Sequence, residues 1–368
     1  MRVAVVTESF LPQVNGVTNS VLRVCEQLTA RGHDALVIAP GPGPREYAGV
    51  PVVRTPSFPL PGYRDFRIAR PYRDMTATLR DFDPDVVHLA SPVALGAQGA
   101  FAARRLGVPS VAVYQTDLAG FASRYHLGAS QEAIWRWLRT VHGTAARTLA
   151  PSRAAVSQLE LNGVERVTRW ARGVDLKRFH PLRRDRGLRQ QLSPGGEVVV
   201  GYVGRLAHEK ELALLAGVQD LPGARLVIAG AGPARKQLER QLPRAEFVGF
   251  QSGAALSATF ASLDVFVHPG SHETFCQAAQ EALSSGVPLV GPRAGGLLDL
   301  VVEGHNGLSF APGSQDDLTG QVARLVDDAV LRRQLRGQAR LSVQGRSWDA
   351  IGTELMGHYR EVGQGAAA

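Results

Sequence analysis

The sequence predicts an α/β protein built as two doubly wound domains, each a parallel sheet with helices on both faces. Short apolar runs without alternation recur in both halves, as strands buried on two faces require. Helix-length amphipathic segments separate those runs. The length of 368 residues exceeds what one core usually serves. With 44% hydrophobic and 20% charged residues, a disordered chain is excluded.

In the first half the strand signals are Val3–Thr7, Ala35–Pro40, Val86–Ala90, Pro109–Tyr114 and Thr148–Pro151. The first helix runs from Gly16 to Arg31. Its Val17, Val21, Val24 and Leu28 fall on one face, and Gly32 stops it. In the second half the strands are Val198–Val203, Arg225–Ala229, Glu246–Gly249, Val265–His268, Pro288–Val290 and Leu308–Phe310. The polar stretch from Leu182, broken by Ser193-Pro194-Gly195-Gly196, ends in the linker. The domains are therefore read as 1–181 and 182–345. Trp348, Ile351, Leu355 and Tyr359 mark a terminal helix within 346–368, which packs on the second domain or crosses back to the first. Repeats and heptads are absent.

The net charge is +8, and 38 of the 41 cations are Arg. They are spread along the chain, many in Arg-Arg pairs on expected helices, rather than concentrated in one patch, which argues against a nucleic-acid reader. No apolar run approaches the ~20 residues of a membrane span. Met1 to Phe10 is too short for a signal-peptide core. Two cysteines, Cys25 and Cys276, make no disulfide framework, so the expectation is a reducing, cytoplasmic setting.

Ligands of doubly wound sheets bind beyond the carboxyl ends of the strands, here expected in a cleft between the two domains. Four loops stand there. Glu8 to Asn19 contains Asn15-Gly16 at the helix start, and Gly16 would let a backbone N–H approach an anion; the segment reads equally as a plain turn. Arg205 and Lys210 flank a turn after Val203 and would grip a diphosphate, unless Lys210 pairs with Glu209 or Glu211. Gly270-Ser271-His272-Glu273-Thr274-Phe275 opens an Ala-rich helix that carries Glu281. Tyr114-Gln115-Thr116-Asp117 offers Asp117 as a polar contact or as a helix cap, with Arg124-Tyr125-His126 further on. His88 and His268, at strand ends, read as structural. Asp81 to Asp85 precedes a strand, on the wrong edge for a metal site, and no Cys/His cluster has zinc spacing.

Together these loops resemble, in order and over almost the whole chain, the retaining family-4 glycosyltransferases of the GT-B fold. Glu8 to Thr18 looks like the family's glycine loop, and Arg172-Gly173-Val174-Asp175 with Phe179 and Pro181 looks like its Gly-Val-Asp signature. Arg205 and Lys210 fall on its diphosphate-gripping pair; Glu273 and Glu281 fall on its Glu-x7-Glu motif. The opening Thr7 to Val17 is especially similar to the GDP-mannose-dependent α-mannosyltransferase branch.

The resemblance implies a retaining, metal-independent transfer of mannose from GDP-mannose. Arg205 and Lys210 would neutralise the leaving diphosphate and Glu273 would orient the sugar. Glu281 would hold the ribose, Gly16 would approach the β-phosphate, and the backbone of Gly270, Ser271, His272, Thr274 and Phe275 would contact the donor. The base would lie near Phe250-Gln251. Where relatives carry a His, this chain has Gln115, with Asp117 two positions on; either Asp117 is the polar partner or the leaving phosphate accepts the proton. Asn15, Thr18 and Gln115 are the expected acceptor contacts.

From the residues themselves, 59–75 interleaves aromatics with Arg64, Arg67, Arg70 and Arg73, which suits an amphipathic helix on an anionic membrane. Tyr63 and Arg67 join the acceptor contacts on that basis, and Ile134 to Arg139 is similar in character. The same stretches also read as a solvated Arg face with ordinary core contacts. The expected partners are thus a nucleotide-sugar donor, a lipid-linked acceptor and the inner membrane surface, with no cofactor. A UDP-sugar transferase, an epimerase and a non-catalytic nucleotide-sugar binder are the competing readings.

Overall fold

The structure is a computed structural model, and it describes residues 1–60, 63–120 and 131–366. The chain divides into two compact units, Met1–Arg172 with Trp348–Ala368, and Gly173–Ser347.

In the first unit, strands β1 (Arg2–Thr7), β2 (Asp34–Pro40), β3 (Glu46–Tyr47), β4 (Val50–Thr55), β7 (Val86–Ala90), β8 (Ser110–Val113), β9 (Arg147–Ala150) and β10 (Val167–Arg169) form one sheet in the order β10-β9-β8-β7-β1-β2-β4-β3. Only the β3–β4 pair is antiparallel. Successive residues of β1 feed opposite faces: Val3 and Val5 join one apolar cluster, Ala4 and Val6 the other. That double burial is why these strands lack alternation.

The second unit holds β11 (Val198–Val203), β12 (Ala224–Ala229), β13 (Glu246–Gly249), β14 (Val265–Val267), β15 (Leu289–Pro292) and β16 (Gly307–Phe310), all parallel, in the order β13-β12-β11-β14-β15-β16. This is the doubly wound Rossmann order, which reverses between β11 and β14. The strands expected from sequence fall within a residue or two of these.

The division falls at 172/173, upstream of the boundary read at 181/182. Val174 pairs with Ser347, its N–H donates to the Arg346 carbonyl at 2.8 Å, and Phe179 packs edge-on against Phe260. The signature segment is thereby tied into the second unit. The helix Trp348–Ala366 packs in the first. There the indole of Trp170 donates to the Ile351 carbonyl at 3.1 Å, and the Tyr359 hydroxyl meets Nδ1 of buried His88 at 2.7 Å.

One expectation is corrected. The described residues of 59–75 do not form the expected helix: β5 (Ser57–Leu60) and β6 (Tyr63–Ala69) pair antiparallel with Leu60 opposite Tyr63, and the next helix starts only at Met75. Pro59 and Pro61 cannot sit in a helix interior, and Pro61-Gly62 is a turn signal. Tyr63 and Arg67 lie on β6, and their side chains are outside the described residues.

Candidate active site

The carboxyl ends of β11 and β14, where the strand order reverses, are where a doubly wound sheet binds its ligand. The turn after β11 carries Arg205 and Lys210; the loop after β14 carries His268 to Phe275 and runs into the helix Gln277–Ser284. Lys210 Nζ reaches Glu273 Oε1 at 2.5 Å, and His268 Nε2 lies 3.1 Å from that same oxygen, an ion-pair contact rather than an aligned hydrogen bond. The partner of Lys210 is therefore Glu273, 63 residues away, and not Glu209 or Glu211.

Burial alone would raise the Glu273 pKa, but the Lys210 ammonium and His268 overcome it and hold the carboxyl down at about 2. Burial would also favour a neutral lysine, yet Glu273 keeps the Lys210 pKa above its ordinary value. For His268, the contacts of Cys276 and Glu273 outweigh burial and raise the ring to about 10. The site thus carries a charged carboxylate between two cations, one of them an imidazolium.

Backbone packing fixes the loop. A Cβ on Gly270 would lie 3.2 Å from Lys210 Cα and 3.3 Å from His268 Nε2. Gly295, at φ +53°, passes so close that a Cβ would stand 2.5 Å from the Glu273 carbonyl, and the Gly296 N–H donates to that carbonyl at 2.7 Å. Glu211 takes the Ser271 N–H at 2.9 Å and the Ser271 hydroxyl at 3.0 Å, so both Ser271 groups are engaged inside the loop. His272 is exposed, with Nε2 3.7 Å from Glu211. Thr274 and Glu281 are half-buried and Phe275 is buried.

Arg205 is exposed at its turn, and its carbonyl accepts from the Tyr202 hydroxyl at 2.9 Å. The Tyr202 ring stacks on His268, centroids 5.7 Å apart. At the end of β13, Phe250 is 73% exposed. Gln251 donates to the Val248 carbonyl at 2.8 Å and lines a cavity of about 110 Å³ with Leu188, Leu192, Ala255 and Thr259.

In the first unit the order reverses between β1 and β7, and both following loops are engaged. Glu8 Oε1 accepts from the N–H groups of Val93, Ala94 and Gly96 at 3.0, 2.7 and 2.8 Å. It satisfies the N-terminus of the helix Leu95–Leu106, where an external anion would otherwise sit. Asn15 caps the first helix through the Thr18 N–H at 2.9 Å and donates to Ser9 Oγ at 2.8 Å. Thr18 is fully buried, its hydroxyl 3.0 Å from Ser9 Oγ. Around Gly16, by contrast, an added Cβ would meet nothing within 4 Å.

Gln115 is buried, and its Oε1 accepts from Arg172 Nη2 at 2.6 Å; Arg172 Nη1 donates to the Gly16 carbonyl at 2.9 Å. Asp117 accepts from the Gly120 N–H at 2.9 Å and from Gln158 at 3.3 Å, the geometry of a cap on the turn that follows. Arg124-Tyr125-His126 lie outside the described residues. In the stretch Ile134 to Arg139, Trp135 and Leu138 are core, whereas Arg136 and Trp137 are exposed.

The match to known proteins follows this anatomy. Residues 14–178 fit the model described as Glycosyltransferase Family 4, and residues 184–342 fit the one described as Glycosyl transferases group 1. A Mycobacterium tuberculosis protein described as a GDP-mannose-dependent alpha-mannosyltransferase is 50% identical over 98% of this chain and 97% of its own. The chain belongs to the family-4 glycosyltransferases. A Corynebacterium glutamicum relative of the same description is 48% identical, over 98% of this chain and 89% of its own. An Anabaena protein crystallised with UDP superposes with a TM-score of 0.79 at 20% identity, covering 98% of this chain and all of that one, which marks the fold as GT-B.

For a family-4 glycosyltransferase, Tyr202 is a residue that sequence reasoning did not single out, while Arg172 was read only as part of a signature, Glu211 only as a possible partner of Lys210, and His268 only as structural. The available signal was position: each stands at or next to the carboxyl end of a strand or a motif. Among the described residues no group of three or more His, Cys, Asp or Glu could hold a metal ion, and no helix is long and apolar enough to cross a membrane.

Proposed function

We propose that this glycosyltransferase moves a mannosyl group, with retained configuration, from GDP-mannose to a hydroxyl of a lipid-linked acceptor at the cytoplasmic membrane face. The observation that carries the reading is the convergence of Lys210 and Glu273 at the strand-order reversal of the second unit. The two relatives near 50% identity carry the GDP-mannose description over nearly their whole length.

In this reaction the bond between the sugar C1 and the β-phosphate oxygen breaks, and its electron pair stays on that oxygen. Arg205 and Lys210 offset the charge, the role a metal ion fills in other transferases. The acceptor hydroxyl attacks C1 from the same face and gives its proton to the departing phosphate oxygen. Gln115 cannot take that proton at neutral pH, and Asp117 caps a turn. Glu273 orients the sugar, Glu281 the ribose, and exposed Phe250 with Gln251 lies by the base. Asn15 shapes the acceptor side, and Gly16 lets its loop approach the β-phosphate. The lipid part of the reading is supported by exposed Arg136 and Trp137 and by the Arg-rich run through β6.

The test is a thermal-shift and turnover panel of GDP, UDP and ADP with their sugars. Stabilisation by GDP and mannosyl transfer from GDP-mannose are expected; a response to UDP alone selects the UDP-sugar reading, and binding without turnover selects the binder. Lys210→Ala should weaken GDP binding by roughly 10- to 100-fold, as loss of one charge-assisted contact of about 1.5–3 kcal/mol implies. EDTA should leave turnover unchanged. Pelleting with anionic vesicles at low salt, reversed by high salt, tests the membrane part.

A further inference from the structure

Lys210 and His268 both make their nearest approach to Glu273 at the same oxygen, Oε1. Glu273 retains 16% side-chain exposure, whereas the His268 side chain is 4% exposed. A carboxylate pinned through one oxygen by two cations presents the other oxygen in a fixed direction. The histidine is itself held: its ring lies on Tyr202, whose hydroxyl donates to the Arg205 carbonyl, and a Cβ on Gly270 would crowd its Nε2 at 3.3 Å. Neither ring nitrogen has an aligned hydrogen-bond partner among the described residues; the groups that act on the ring are Cys276 and Glu273, the latter 3.1 Å from Nε2. The turn that grips phosphate and the loop that orients sugar are thus linked through one stacked pair.

We propose that His268 is a positioning residue for Glu273: its Nε2 fixes Oε1 jointly with Lys210, so that Oε2 faces the donor sugar. The proposal rests on the transferase reading of this site. The titratable groups around the ring are Tyr202 from β11, Glu209 and Lys210 from the following turn, and Glu273 and Cys276 from its own loop. Tyr202 is buried and its pKa lies well above the ordinary value, so it stays neutral.

The test compares the unaltered enzyme with His268→Leu, His268→Gln and Tyr202→Phe. For His268→Leu, kcat should fall roughly 30- to 100-fold while the donor KM and GDP affinity change less than about 3-fold. His268→Gln keeps a neutral donor and should recover about a third or more of the lost rate on a logarithmic scale. It should also lose the alkaline limb of the kcat profile, which a merely structural role would leave in place. Tyr202→Phe keeps the stack and should retain the alkaline limb. A His268→Leu kcat within 2-fold of the unaltered enzyme overturns the proposal, as does an alkaline limb unchanged in His268→Gln.

A second arm needs no substrate. Without ligand, the unaltered protein should lose thermal stability as pH rises from 6.5 towards 10, and His268→Gln should not. If no nucleotide sugar turns over but this difference persists, the transferase reading fails and the Glu273–His268 pairing stands. If both lose stability alike, the pairing fails whatever the substrate.

Discussion

Glu273→Gln is expected to lower kcat by about 10²- to 10³-fold while GDP affinity stays within roughly 3-fold, because in the proposed reaction Glu273 serves the sugar and not the nucleotide. Its structural cost should be as plain. Lys210 and His268 would face a neutral amide in a site from which water is largely excluded. Removing one partner of a buried ion pair costs about 3–5 kcal/mol, which for a unit of this size lowers Tm by about 10 °C. The pH dependence follows from the two shifted groups. The Glu273 pKa is depressed from 4.5 to about 2, so its contribution is complete above 4.5 and is lost as pH falls towards 2. The His268 pKa is raised from 6.5 to about 10, so its contribution is complete below 6.5 and fades as pH rises towards 10. Together they stabilise most between 4.5 and 6.5. Melting curves from about pH 2 to about pH 10, on both proteins, check the claim: the variant should lose most of both slopes, below 4.5 and above 6.5. A variant with unchanged turnover would remove Glu273 from the chemistry.

The positions of these groups could be read from the sequence; their partners could not. Apolar runs place β11 and β14, and the residues just beyond a strand's end stand at the binding edge, so Arg205, Lys210 and Glu273 were candidates before any coordinates. Lys210 has two nearby carboxylates in sequence, Glu209 and Glu211, and only the fold decides between them and Glu273. Glu211 turns instead to Ser271, through a left-handed backbone at φ +52°. The hairpin β5–β6 was obscured for a different reason. Arg at steps of three imitates one helix face, although Pro59 and Pro61 within the stretch forbid a helix, and local proline chemistry overrides periodicity. His268 looked structural because a lone histidine at a strand end carries no spacing signal; its meaning came from an oxygen contributed five positions later.

Arg172→Ala is expected to disable the first unit's loop and to cost stability at once. This arginine is 9% exposed and spans from Gly16 at the head of the first helix to Gln115 after β8. Truncation removes the guanidinium's donations to buried Gln115 Oε1 and to the Gly16 carbonyl, and each lost bond to a charged group is worth about 1.5–3 kcal/mol. A Tm lower by roughly 6–12 °C should result, with an acceptor KM raised at least about 10-fold as the loop loses its register. Lys should rescue poorly, since one ammonium cannot serve two acceptors in the fixed fork of a guanidinium. The pair also gives a physical account of the residue at 115. An amide oxygen accepts from a guanidinium without titrating, whereas a histidine there would have to stay neutral beside a fixed positive charge. Gln115→His should therefore fold at high pH and lose stability as pH falls through the histidine range. Stability independent of pH in that variant would mean that Arg172 does not set the identity of its neighbour.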